Sequence, residues 1–149
     1  MIKTIILAGG FGTRLSEETS TKPKPMVEIG GRPILWHIMK HYAHHGFSEF
    51  LIALGYKADV IKKYFLDYTH LNGNLTVQVK NGQNRVVYRE QDNWTVHLED
   101  TGLDTLTGGR IKKLSNWVKH ETFMVTYGDG VSDVPLDKVL AFHQSHGKL

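Results

Sequence analysis

Residues 4–25 read TIILAGGFGTRLSEETSTKPKP, and this stretch decides the fold. Thr4, Ile5, Ile6 and Leu7 form an apolar run too short for a helix and rich in β-branched side chains, as expected of a parallel strand buried on both faces. Such a strand presents the next residues, a glycine turn, at its carboxyl end. Gly9, Gly10 and Gly12 lack Cβ atoms, so the backbone is expected to reach φ > 0 there and to bring several N–H groups near the oxygens of an anion. Arg14, Lys22 and Lys24 come next, with Pro23 and Pro25 expected to keep both lysines extended and out of a helix. Three cations against a nest of amides point to a polyphosphate. A dinucleotide fingerprint counted from Gly10 and Gly12 fails at Leu15, and a Walker loop fails because Thr13 and Arg14 follow Gly12.

Working outward, Met26 to Ile29 reads as a short extended piece turned by Gly30 and Gly31. Pro33 then opens a helix to about His45, with Ile34, Leu35, Ile38, Met39 and Tyr42 on one face and Gly46 as its stop. His37, His41, His44 and His45 lie on it. The i, i+4 pairs could share a metal in geometry, but no acidic partner accompanies them and packed or solvated imidazoles are the simpler reading. Phe50 to Leu54 is a second apolar strand, and Asp59 to Tyr68 repeats helical spacing. Leu75–Lys80, Arg85–Arg89 and Trp94–Glu99 alternate in character and read as an antiparallel or mixed β excursion, with Asn81-Gly82 a hairpin signal. Ile111, Leu114 and Val118 mark a short helix after Gly108 and Gly109. Thr122 to Tyr127 reads as a buried strand ending in Gly128-Asp129-Gly130, and Pro135 to His146 as a helix capped by Asp133.

A chain of 149 residues with 40% hydrophobic residues supports one domain with a core. Its 18 basic and 15 acidic residues leave a charge of +3, scattered rather than massed, so nucleic acid is not implied as a partner. No run approaches the roughly 18 apolar residues of a membrane span, and no signal-peptide pattern precedes the first strand. Cytoplasm is the expected address. Cysteine is absent, which leaves oxygen and imidazole as metal ligands.

Ligands of parallel sheets bind beyond the carboxyl ends of the strands, which would bring Asp129 to the same crevice as the glycine loop. A carboxylate beside a triphosphate is a usual way to hold Mg²⁺. The expected fold is α/β: a Rossmann-like three-layer sandwich with a mostly parallel sheet, helices on both faces and a small β excursion near residues 75–100.

GGFGTRL followed by KPKP resembles the signature of sugar-1-phosphate nucleotidylyltransferases, and PMVEIGGRPILWHIM looks like their glucose-1-phosphate cytidylyltransferase branch. The resemblance extends over essentially the whole chain. Many relatives carry Pro-Leu before the signature threonine; here Ser16, Glu17 and Glu18 precede Thr19, which also looks like the cytidylyltransferase branch. The resemblance implies that CTP and α-D-glucose 1-phosphate become CDP-glucose and pyrophosphate with Mg²⁺, and that full-length members assemble as homo-oligomers. It implies that the backbone of Leu7, Ala8, Gly9, Gly10, Phe11, Gly12 and Thr13 cradles the nucleotide, and that Arg14 acts on the leaving pyrophosphate. Lys24 is implied at the α-phosphate, Thr105, Arg110 and Gly128 beside the nucleotide, and Asp129, in the matching TYGDGVSD, on the metal. The same signature serves dTTP, UTP and GTP, and a non-catalytic nucleotide-binding module would keep the loop without the chemistry. Members of the family are normally longer. Residues 1–149 are therefore expected to be a nucleotidyltransferase domain truncated on its C-terminal side, inactive alone, with the second metal-binding carboxylate and most sugar contacts beyond Leu149.

Overall fold

A computed structural model describes residues 2–11, 21–89 and 92–148. Gly12, Thr13 and Arg14, together with Leu15 to Ser20, lie outside the described residues. The central sheet is built from β1 (Lys3–Leu7), β4 (Glu49–Leu54), β7 (Thr95–Asp100) and β8 (Met124–Tyr127). Its order is β7-β4-β1-β8, and every pairing is parallel. Leu7 stands level with Ala53 on one side and Tyr127 on the other. The chain moves outward from β1 to β4 and β7, then returns to β1's other edge as β8, so the strand order reverses beside β1. That reversal opens a crevice at the carboxyl ends.

Alternation along the two central strands creates two cores. Ile6, Phe50, Ile52 and Leu54 face one layer, where Leu35, Ile38 and Met39 of α1 (Ile34–His44) and Ile61 of α2 (Ala58–Leu66) complete the cluster. The same layer receives Leu136 and Leu140 of α6 (Leu136–His146). Ile5, Leu51 and Ala53 face the opposite layer, against Leu114 and Val118 around α4 (Thr107–Lys113) and α5 (Ser115–Val118). The expected three-layer α/β architecture is present, with a parallel sheet of four strands.

Several local expectations change. Trp94–Glu99 does not belong to the β excursion: β7 is a strand of the main sheet, and its alternation comes from lying at an edge with its residues half covered. The excursion is a separate hairpin of β5 (Asn74–Lys80) and β6 (Gln83–Arg89), turned at Asn81 and Gly82, both with positive φ. Likewise β8 is not a buried strand. It pairs with β1 alone among the described strands, leaving Val125 42% and Tyr127 61% exposed. Lys24 does enter a helical turn, a single 3-10 turn over Lys24–Met26, because Pro23 and Pro25 both supply the φ it needs. The following extended piece is a two-residue ladder of β2 (Glu28–Ile29) and β3 (Arg32–Pro33) about Gly30 and Gly31, whose positive φ values only glycine adopts easily. The second helix stops at Leu66, and a further turn, α3 (Tyr68–Leu71), follows. Gly108 and Gly109 lie inside the first turn of α4 rather than before it. Asp133 caps nothing: Pro135 is the N-cap of α6, and no side chain bonds there.

His37 and His41 of α1, and His45 at its C-cap, are used for fastening. His37 and His41 bond through Nε2 to the carbonyls of Ile29 (2.9 Å) and Val134 (3.0 Å), and His45 Nδ1 lies 3.1 Å from the Asp137 carboxylate. Among the described residues no group of three potential ligands is arranged to hold a metal. No described helix is long and apolar enough to cross a membrane. A polar knot ties the base of the hairpin to the first core: Trp36 Nε1 donates to the Tyr68 hydroxyl (2.9 Å), Tyr68 donates to Asp92, and Lys40 Nζ reaches Asp92 at 2.8 Å. Burial pushes the Asp92 pKa up, but the hydrogen bonds from Lys40 and Tyr68 outweigh it and hold the carboxyl below its ordinary range.

Two outcomes are expected. Phe50→Ala, at a fully buried site where α1 and the sheet meet, costs about 3–5 kcal/mol in urea unfolding, whereas Val79→Ala on the hairpin, at 70% exposure, stays within about 0.5 kcal/mol. Because folding lowers the Asp92 pKa, its contact contributes fully above the unfolded value of about 4 and fades as pH falls through the folded one. Thermal melts across that acid range should show a steeper loss for the parent than for Asp92→Asn; parallel curves would remove Asp92 from the acid response.

Candidate nucleotide site

Parallel pairing on both edges of β1 fixes where Leu7 ends, and the residues after it border a cavity of about 590 Å³ at the carboxyl ends of the strands. Leu7, Ala8, Gly9, Gly10 and Phe11 form one wall; Lys24, Pro25, Tyr127 and Asp129 form another. The third is the connection from β7 into α4, including Leu103 to Thr107 and Arg110. Nine of the sequence-derived residues (Leu7, Ala8, Gly9, Gly10, Phe11, Lys24, Thr105, Arg110 and Asp129) therefore meet at one cavity. Gly128 stands just behind it. Its N–H donates to the Leu7 carbonyl at 3.0 Å, and a Cβ there would lie 3.0 Å from both that oxygen and Pro25 Cγ.

Lys24 and Asp129 are 105 residues apart in sequence, and Lys24 Nζ lies 2.8 Å from Asp129 Oδ2. Both side chains are partly exposed, so the pair is open to an incoming ligand. The 3-10 turn places the lysine, and β8 with its Gly-Asp-Gly end places the carboxylate. Asp129 thus already accepts a cation beside the cavity. One carboxylate suits Mg²⁺ when phosphate oxygens and water complete the shell.

The glycine turn differs from expectation. Neither Gly9 nor Gly10 has positive φ. A Cβ on Gly9 would instead fall 2.2 Å from Nη1 of Arg110, so the absent side chain is replaced by a guanidinium. Arg110 is only 5% exposed. Its Nη1 donates to Leu54 O (2.9 Å), Thr101 Oγ1 (2.6 Å) and Gly102 O (2.8 Å); its Nη2 donates to Gly9 O (2.9 Å) and Leu103 O (3.1 Å). Burial lowers the guanidinium pKa, opposed in part by the nearby Asp100 charge. Thr105 is held from α4: Lys113 Nζ contacts its Oγ1 at 3.3 Å and the Thr101 carbonyl at 2.9 Å.

A family model for nucleotidyl transferases matches residues 3–149. The chain belongs to the nucleotidyl transferase family. Its similarity to the glucose-1-phosphate cytidylyltransferase of Salmonella typhimurium is 51% identity, over 99% of this chain and 58% of that relative. A Bacillus subtilis protein named "Probable glucose-1-phosphate cytidylyltransferase" is 44% identical, over 98% of this chain and 57% of its own length. Among solved structures, HddC from Yersinia pseudotuberculosis complexed with GMP-PN superposes with a TM-score of 0.68 at 28% identity, over 96% of this chain and 54% of that one. The chain thus spans under three fifths of the length of these nucleotidyl transferases.

Thr101 and Asp104 carry no mark of the site in the sequence, nor do the carbonyls of Leu54, Gly102 and Leu103 that hold Arg110. Thr101 follows a strand and precedes Gly102, but a hydroxyl at a strand end is too common a signal to mark it. In this nucleotidyl transferase chain, Thr101→Val should cost about 1–3 kcal/mol in urea unfolding, because Thr101 Oγ1 both donates to Leu54 O at 2.6 Å and accepts from Arg110. A loss below about 0.5 kcal/mol would mean that the arginine does not depend on this acceptor.

Proposed function

We propose that this chain carries the nucleotide-holding part of an enzyme that transfers a cytidylyl group from CTP to α-D-glucose 1-phosphate, giving CDP-glucose and pyrophosphate. The observation that carries it is the convergence of Lys24 and Asp129 beside the glycine turn, at the strand-order reversal of the sheet. The 51% identity to a protein of that name supports cytosine as the base. HddC, solved with GMP-PN, is more distant at 28%. Use of dTTP, UTP or GTP is the alternative within the same chemistry. A non-catalytic nucleotide-binding module is the other alternative, and the presence of Arg14, Lys24 and Asp129 together argues against it.

A phosphate oxygen of the sugar phosphate attacks the α-phosphorus of CTP in line. One P–O bond forms, the bond to the bridging α–β oxygen breaks, and its electron pair leaves with pyrophosphate. No group of the protein is covalently modified, so its contribution is positioning and neutralisation of charge. Backbone groups of Leu7 to Thr13 hold the nucleotide, Thr105 lies beside it, and Lys24 meets charge at the α-phosphate. Arg14 stabilises the departing pyrophosphate. Asp129 would hold Mg²⁺, which would supply positive charge to offset that of the phosphates. Phosphate entry then gives Lys24 and Asp129 new partners in place of each other. The second carboxylate, most sugar contacts and the homo-oligomer interfaces belong, in this reading, to the remaining length of the relatives. Residues 1–149 form the nucleotidyltransferase domain's N-terminal part, and with small charged substrates its address is the cytoplasm.

A pyrophosphate-release assay on a version carrying that remaining length tests the proposal. CTP with glucose 1-phosphate should exceed each other nucleotide about tenfold or more in kcat/KM, and Arg14→Ala should lower kcat about a hundredfold. Equal rates with UTP or dTTP would remove cytosine specificity. Residues 1–149 alone should bind CTP and form no CDP-glucose; steady turnover would place the second carboxylate within them.

A further inference from the structure

Arg110 shows what its charge does not do. All five acceptors of its guanidinium are protein oxygens, drawn from three segments: Gly9 after β1, Leu54 at the end of β4, and Thr101 to Leu103 after β7. Both terminal nitrogens are thus committed to the protein, although the side chain borders the cavity. Two glycines frame the group. A Cβ on Gly9 would lie 2.2 Å from Nη1 and 2.3 Å from Cζ; one on Gly55 would lie 2.6 Å from Nη1 and 2.7 Å from the Gly9 carbonyl. Neither glycine has positive φ, so the need for glycine is steric: at Gly9 it comes from Arg110, and at Gly55 from Arg110 together with the Gly9 carbonyl that Arg110 holds.

The consequence reaches the cavity through one peptide. In a trans peptide the C=O and the next N–H point in opposite directions. Anchoring Gly9 O on Arg110, and on the Tyr56 N–H at 3.2 Å, therefore turns the Gly10 N–H away from the guanidinium, on a stretch that lines the cavity. No described residue accepts from that N–H. We infer that Arg110 is a positioning residue for the phosphates of the nucleotide: it sets the Gly9–Gly10 peptide and acts on the ligand through it, Gly9 is glycine to make room for the guanidinium, and Gly55 is glycine to make room for the guanidinium and the carbonyl it holds. This deepens the proposed role of the cavity as a nucleotide site and rests on it.

The test is calorimetric titration of the 149-residue chain with CTP and Mg²⁺, with urea unfolding run on each variant so that affinity refers to folded protein. Binding of CTP by the parent decides the reading of the site; absence of binding by the parent defeats that reading and, with it, this inference. With the parent binding, Gly55→Ala, at a position outside the cavity wall, should weaken CTP about tenfold or more. Gly9→Ala should do the same in the parent, yet add less than about threefold in an Arg110→Ser background, where the guanidinium is gone. Arg110→Lys should resemble Arg110→Ser, since an ammonium cannot span acceptors from three segments. Millimolar methylguanidinium should restore CTP affinity to Arg110→Ser and not to the double variant, whose added Cβ occupies the space. Unchanged affinity in folded Gly55→Ala overturns the inference, and this holds even if Arg110→Ser fails to fold. Full additivity of Gly9→Ala and Arg110→Ser, or retention of parent affinity by Arg110→Lys, also overturns it and assigns the arginine a direct ionic contact.

Discussion

β1 is hydrogen-bonded along both edges and packed on both faces, and the rest of the molecule depends on that confinement. A strand so held cannot shift by one residue without exchanging Ile5 and Ile6 between the two cores. Its end is therefore fixed in all three dimensions. Leu7, level with Ala53 and Tyr127, becomes a fixed launching point for the glycine turn. The two neighbours deliver their own ends to the same level: β4 hands over Gly55, and β8 hands over Gly128 and Asp129. The cavity exists because three chain segments stop at one height.

Polar groups at that height are handled differently on its two sides. Around Arg110 a single buried cation is surrounded by four carbonyls and one hydroxyl, an arrangement that resists rearrangement. Across the cavity, Lys24 and Asp129 form a partly exposed pair, which is worth little to stability and is cheap to separate. Rigid on one wall and exchangeable on the other is a sensible division for the proposed role, in which one wall keeps its geometry while the other admits charge.

Much of this is legible in the residues. The apolar run Thr4–Leu7, the helical spacing of Ile34 to Tyr42 and the glycine-bounded run Phe50–Leu54 each have one dominant period, and each forms the expected element. The convergence of Asp129 on the glycine turn comes from a rule about parallel sheets rather than from any local signal. The failures have a common origin in position within the sheet. β7 and β8 lie at edges, so the pattern of one reads as part of a hairpin excursion and that of the other as a buried strand; edge burial is set by neighbours distant in sequence. Gly9 misleads for a similar reason: its glycine answers to a side chain 101 residues away and not to its own dihedral. The roles of Gly12, Thr13 and Arg14 lie outside the described residues.

The hairpin of β5 and β6 leaves the body of the fold and comes back at one point, since Asn74 stands opposite Arg89 in its register. None of its residues belongs to either core cluster. Residues can be added or removed there in cross-strand pairs without disturbing the register of the parallel sheet or the height at which its strands end. The chain therefore carries a module whose length and surface are free to diverge while the half that borders the cavity stays constant, and a natural place to splice in a tag or a foreign loop.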